Sequence, residues 1–213
     1  MAKTTTTPQE SSRDVLGAIY ARRAIRAYRP EQPSEAVIRE LLDAAVHAPT
    51  AMHLEPWGFA VVQDRAALRR YSDRGKAMLL DSESHMAVGW GSVGTGRHPS
   101  TPGHDHRAML ADPKFNIFYD AGTLLVICRT MSGPFADADC WLAAQNLMLA
   151  AAAKGLGSCC IGFAIPVLNT HEVKRELGIP EEGAAVAPVI VGTPQHAAQA
   201  VPRKPPQILR WLR

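Results

Sequence analysis

Three arginines fall within five residues, at Arg22, Arg23 and Arg26. A guanidinium is charged at any physiological pH, and its planar fork presents paired N–H donors, so a cluster of this kind suits phosphate. Two dozen residues on, Ala48-Pro49-Thr50-Ala51-Met52-His53-Leu54-Glu55-Pro56-Trp57 forms a proline-bounded loop of small residues that ends in a tryptophan. A cationic end and a flat wall in one short stretch point to a phosphorylated aromatic ligand. A second basic pair, Arg203-Lys204, lies near the other end of the chain, and the two patches could converge on one phosphate. Taken alone, the three arginines read equally as a solvated helix face, and Arg203-Lys204 as a polar tail.

Other chemistries fit less well. Gly89-Trp90-Gly91-Ser92-Val93-Gly94 spells G-x-G-x-x-G, but the dinucleotide fingerprint needs a strand before it and a helix after it, and here a helical stretch precedes and loop follows. His98, His104 and His106, with Asp105 between two of them, have the donor types for a metal. They sit in a Gly- and Pro-rich stretch without a regular scaffold, so solvated loop histidines are the expectation. No serine is framed as G-x-S-x-G. Cys128, Cys140, Cys159 and Cys160 do not have zinc spacing and lie in apolar runs. Buried, reduced thiols are expected, and with them a cytoplasmic location. A net charge of +3 gives no general nucleic-acid surface. No run is long and uninterrupted enough for a membrane span, and the Thr-rich start has no apolar signal core.

The elements that must position these residues can be read from periodicity. Ser11-Ser12 and Asp14 open a helix with Val15, Leu16, Ile19 and Tyr20 on one face. Ser34 caps a second, with Val37, Ile38, Leu41, Leu42 and Ala45 in register, stopped by Pro49. Residues 59–62 and 123–128 read as buried strands, 65–80 as one or two helices, and 89–113 as a long irregular segment. Residues 137–154 form a helix that is hydrophobic nearly all round and should be buried. A strand over 158–163 follows, then a helix from Asn169 or Thr170 to Leu177 and a strand from Ala187 to Val191. The proline-rich stretch 194–213 reads as an extended arm, with helix admissible only at 207–212. The mixture lacks a regular βαβ rhythm, which gives an α+β fold around a central sheet. Residues 1–10 are expected to be a flexible tail and 11–213 a single domain.

Four segments, in order and spacing, resemble motifs of the nitroreductase family of FMN-dependent NAD(P)H oxidoreductases. They are Arg22-Arg23-Ala24-Ile25-Arg26; Ala48 to Trp57; Asp139 through Gly162, where Ala144-Gln145-Asn146-Leu147 leads to Gly155-Leu156-Gly157-Ser158 and ends Ile161-Gly162; and Val191-Gly192-Thr193-Pro194 followed by Arg203-Lys204-Pro205. Tyr119-Asp120-Ala121 is a weaker fifth. The likeness spans about residues 13–207.

The resemblance implies a mostly antiparallel sheet surrounded by helices, in a homodimer with an extended C-terminal arm and FMN held where two subunits meet. It implies that Arg22, Arg23, Ala24 and Arg26 meet the FMN phosphate, ribityl chain and ring edge, with Arg203 and Lys204 closing the phosphate clamp. It further implies that Pro49, Thr50, Ala51 and His53 line the flavin from the other subunit, and that Cys160, Ile161 and Gly162 lie beside the ring. NAD(P)H is the implied electron donor, a nitroaromatic or quinone the implied acceptor, and the order ping-pong, with no separate catalytic acid or base. Three positions depart from the family pattern: Ala24 stands for a hydroxyl residue, His53 for Asn and Glu55 for Gln. These departures keep open a specialised flavin-dependent dehydrogenase or oxidase of the same family, and an FMN-storing or sensing protein with little turnover.

Overall fold

In the computed structural model, residues 14–83 and 106–213 are described. The expected tail at 1–10, the helix opening at Ser11-Ser12, the glycine motif at 89–94, and His98 and His104 lie outside them. The chain order is α1 (Val15–Ala21), α2 (Glu35–Val46), β1 (Trp57–Val62), α3 (Arg65–Glu83), α4 (His106–Ala111), β2 (Thr123–Arg129), α5 (Ala136–Ala153), β3 (Gly157–Cys160), α6 (Ile165–Leu168), α7 (His171–Glu176) and β4 (Ala184–Gly192). Short 3-10 turns occupy Ala51–His53 and Gly162–Ala164. The four strands form one sheet in the order β1-β2-β4-β3, and every neighbouring pair is antiparallel. The architecture is α+β.

Strand alternation divides the interior into two layers. Leu124, Val126 and Cys128 of β2 enter a cluster with Leu68, Tyr71, Phe118 and Val167. Leu125 and Ile127 point the other way, into a cluster with Leu41 of α2 and Cys140, Leu147 and Ala151 of α5. A strand buried on both faces is apolar at every position, as β2 is. The β2–β4 register skips a residue between Ile127 and Cys128, so Val186 and Ala187 both fall in the α2/α5 layer. Pro188 is tolerated in the interior of β4 because its own carbonyl accepts Ile161 N just where β3 has ended. Its missing N–H therefore faces no strand partner.

Several boundaries differ from expectation, each for a local reason. Asp14 caps α1, its carboxylate accepting Gly17 N at 2.6 Å. The helix α2 ends at His47, before Pro49 can act. Residues 106–111, expected to be irregular, are helical. The strand expected over 158–163 stops at Cys160: Ile161 N still donates to Pro188 O, but Pro188 has no N–H to return, and Ile161 O accepts Ala164 N as the chain winds into the 3-10 turn. Stretch 207–212 is not helical, and all of 195–213 is exposed. Helix α5 buries Cys140, Leu147 and Met148 but leaves Trp141 and Leu142 exposed, as α1 leaves Val15, Leu16, Ile19 and Tyr20. Among the described residues, no helix is long and apolar enough to cross a membrane.

Candidate functional site

The arginine segment is held against the outer edge of the sheet. Past α1 the chain runs extended: Ile25 N donates to Ser158 O at 3.1 Å, Arg29 N to Thr193 O at 2.9 Å, and Gln195 N to Ala27 O at 3.0 Å. These contacts align residues 24–28 first with β3 and then with the exit of β4. Two glycines permit the approach. A Cβ on Gly157 would lie 2.7 Å from Ile25 Cγ1, and one on Gly192 would lie 2.9 Å from Tyr28 Cδ1. Contacts that short do not occur between real side chains, so both positions need the missing side chain. The Tyr28 hydroxyl then donates to Ile25 O at 2.8 Å, and burial raises its pKa far above the ordinary value.

This ribbon fixes three arginines in different settings. Arg23 lies under the arm: its Nη1 donates to Tyr20 O at 2.6 Å and Arg22 O at 2.8 Å, and its Nε to Gln199 O at 3.3 Å. Arg26 packs its guanidinium 5.8 Å from the centre of the Tyr119 ring, within the range of a cation–π contact. Arg22 is half-buried and donates to no described acceptor. Arg22, Arg23, Ala24, Arg26 and Arg203 line one cavity of about 430 Å³ that has no carboxylate among the described residues of its wall. Lys204 does not line it. Beside it, Arg26, Tyr119, Cys160, Ile161, Gly162 and Phe163 line a smaller cavity of about 190 Å³ with aromatic and backbone walls.

Tyr119 is placed with some strain. Tyr119 and Asp120 both have positive φ, 52° and 53°, a region that costs a non-glycine residue roughly 1–3 kcal/mol. Their surroundings hold them there. Asn116 Oδ1 accepts Phe118 N, Asn116 O accepts Tyr119 N, and Asn116 Nδ2 donates to Asp120. Buried Lys76 donates to Phe115 O at 2.7 Å, and buried Ser72 Oγ accepts Ile117 N at 3.0 Å.

The 48–56 loop is a separate feature on the same chain. Met52, His53 and Glu55 all have positive φ, and Met52 is 90% exposed. His53 Nε2 stands 3.6 Å from Glu55 Oε1 at the surface. The loop is clamped at both ends. Asp139, in the first turn of α5 and only 4% exposed, accepts Ala51 N with both carboxylate oxygens at 3.3 Å. At the other end Pro56 O accepts Thr130 N at 2.7 Å and Thr130 Oγ1 at 3.0 Å. Pro49, Thr50, Ala51 and His53 line none of the cavities that hold the arginines. Within one chain the two motifs stay apart.

All four cysteines are free thiols. Burial raises Cys128 and Cys140 to about 12 and Cys160 to about 11. Burial also raises Cys159, against the pull of Arg26 and Arg22. Cys160 lines the small cavity as a neutral thiol, its sulfur 3.6 Å from Met148 Sδ. Asp139, Gly157 and Gly192 stand in the sequence only as members of the matched motifs, with nothing local to mark their roles, and Thr130 stands in none. Asp139 shares the first turn of α5 with a second carboxylate, Asp137, so its type alone does not mark it as the clamp.

Residues 19–193 match the model of the Nitroreductase family. The chain is 28% identical over 213 residues to an NADH dehydrogenase of Thermus thermophilus, covering 93% of this chain and 96% of that one. It is 25% identical over 185 residues to an iodotyrosine deiodinase of Thermotoga neapolitana, covering 85% and 89%. A crystal structure of a Bacteroides fragilis nitroreductase with bound FMN superposes with a TM-score of 0.72 at 25% identity, covering 94% of this chain and 98% of that one. The matched span begins within α1 and ends just past β4, so it takes in the arginine ribbon, the clamped loop and the whole sheet. With that span and this sheet order, the chain belongs to the nitroreductase family.

Proposed function

We propose that the protein is an FMN-dependent oxidoreductase that passes hydride from NAD(P)H to a nitroaromatic or quinone-type acceptor. The observation that carries this reading is the cavity pair at the arginine ribbon: a cationic chamber free of carboxylate, opening beside a small one with aromatic walls. The residues present fit FMN. Arg22 has an uncommitted guanidinium for phosphate, and Arg203 supplies a second charge to the same wall. Arg23 contributes mainly by tying down the arm at Gln199. Ala24 brings no hydroxyl, so the arginines carry more of the anion's hydrogen bonding than in the family pattern.

Bound there, FMN would supply the hydride-transfer chemistry between NAD(P)H and the acceptor. Arg26 holds positive charge at the mouth of the small cavity, where it favours a ligand that gains negative charge. Cys160, Ile161 and Gly162 offer a neutral thiol and backbone as a wall. Among the described residues, no carboxylate or imidazole lines the small cavity.

The loop bearing Pro49, Thr50, Ala51 and His53 completes the chamber from a second copy of the chain in this reading. The apolar side chains left bare on one chain support a homodimer: Val15 and Tyr20 on α1, Trp141 on α5, and Leu209 and Trp211 on the arm. Four free thiols support a reducing, cytoplasmic setting. Steady-state oxidation of NADH and NADPH with a nitroaromatic or quinone tests the activity; bound FMN without turnover would leave only storage or sensing. The His53–Glu55 pair, 3.6 Å apart, favours one second reading, a specialised flavin-dependent dehydrogenase or oxidase of the family. In that case reduction of generic acceptors would be slow and oxidation of one particular substrate fast.

A further inference from the structure

Arg22, Arg23, Ile25, His196, Ala197 and Ala198 line two cavities in common: the chamber assigned above to the FMN phosphate, and a larger cavity of about 530 Å³ between the end of α1, the C-terminal end of α5 and the stretch after β4. The polar wall of the larger one consists of Arg22, Arg29, Ser158, Thr193, Gln195 and His196, apart from the tethered Arg23, and among the described residues no carboxylate lines it. No described acceptor takes a hydrogen bond from Arg22 or Arg29, whereas Arg39, Arg70, Arg74 and Arg129 each hold a carboxylate. A helix C-terminus would ordinarily repel an anion. Here the carbonyls of Ala150, Ala151 and Ala152 already accept the N–H groups of Lys154, Gly155 and Leu156. What faces the cavity is therefore a set of cations and neutral donors without a counter-charge.

We propose that this cavity is a second anion site, taking a phosphate monoester dianion next to the FMN-side chamber. The Arg29 guanidinium, which lines this cavity and not the FMN-side chamber, matches such a group by charge and by fork geometry; Arg22, assigned above to FMN, adds charge from the shared wall, and the hydroxyl, amide and imidazole supply further donors. The cavity has room for a group attached to the phosphate. Two sources carry this chemistry: the 2′-phosphate that distinguishes NADPH from NADH, and free phosphate. Only the contrast between the two sites rests on the FMN reading.

The test uses Arg29→Gln. Arg29 is exposed, its backbone N–H to Thr193 O survives the change, and it does not line the FMN-side chamber. The full chain with FMN added is titrated calorimetrically with inorganic phosphate and with adenosine 2′-monophosphate. Wild type should bind saturably, and Arg29→Gln roughly tenfold or more weakly, as loss of one charge-assisted contact implies. Flavin absorbance per chain should not change. Tighter binding of the 2′-monophosphate than of inorganic phosphate marks the dinucleotide as the source; equal binding marks free phosphate. No saturable binding by wild type, equal binding by the variant, or parallel loss of flavin from the variant each overturns the proposal. A chain that never takes up FMN sinks the cofactor reading alone, since Arg29-dependent phosphate binding is still measured on it.

Discussion

Gly157 and Gly192 are paired across β3 and β4, and each forms the floor under one side chain of the arginine ribbon, Ile25 over Gly157 and Tyr28 over Gly192. The position of Arg22 and Arg26 thus depends on two residues that have no side chain. Gly157→Ala should force Ile25 outward and destabilise the fold by about 1–3 kcal/mol, the usual range for overpacking. It should also weaken FMN binding. A urea midpoint measured together with FMN affinity checks both effects. In the double variant with Ile25→Ala much of the loss should be recovered, because the two side chains occupy the same space. Strictly additive losses would show that the clash is not the cause.

Arg22 and Arg23 adjoin in sequence but should behave differently. Arg22→Ala removes an uncommitted guanidinium and should weaken FMN binding by about 1.5–3 kcal/mol, roughly ten- to a hundredfold. Arg23→Ala removes three bonds to backbone carbonyls. Its first effect should be faster proteolysis of the arm beyond Gln199, with a smaller change in FMN affinity. Equal FMN affinity in wild type and Arg22→Ala would contradict the assignment.

Asp139→Ala should release the strained loop. Met52, His53 and Glu55 are held at positive φ between Asp139 and Thr130, and without the carboxylate Ala51 N loses its partner. A hydrogen bond to a charged group contributes about 1.5–3 kcal/mol. Amide exchange at Ala51 should accelerate by a corresponding factor, while exchange in β2 stays slow. Unchanged exchange at Ala51 would show that the clamp lies elsewhere.

The fold class and most elements were legible because their signals are local. An apolar run bounded by Gly122 and Arg129 can only be a doubly buried strand or a buried helix, and its length decides. Ser34 was legible as a cap, and Thr170 as one of two candidates with Asn169; each hydroxyl does accept a backbone N–H three residues on. The end of β3 was not legible, because it depends on Pro188 of β4 standing opposite Ile161 across the sheet with no N–H to return. The site was legible as motifs but not as a division of labour. Nothing local separates Arg22 from Arg23, whose partner Gln199 lies at the far end of the chain. The role of Asp139 depends likewise on a loop closing from 88 residues away.

The thiols make a prediction about alkaline stability. Burial raises Cys128 and Cys140 from 9.0 to about 12, so the folded state favours the neutral thiol. The contribution is fully present below 9.0, and is lost as pH rises from there through about 12, because the unfolded chain ionises first. Unfolding midpoints should fall with pH across that window. The slope should be smaller in a variant with Cys128→Ala and Cys140→Ala, and an unaltered slope would contradict the burial account.

Whether the arginine ribbon holds FMN for electron transfer is decided by the visible spectrum of the chain on titration with FMN. Uptake should be saturable, with flavin bands that shift on binding, bleach when NADH or NADPH is added without oxygen, and return when a quinone or nitroaromatic follows. A chain that stays colourless after FMN is added and the excess removed would show that the ribbon does not hold the cofactor.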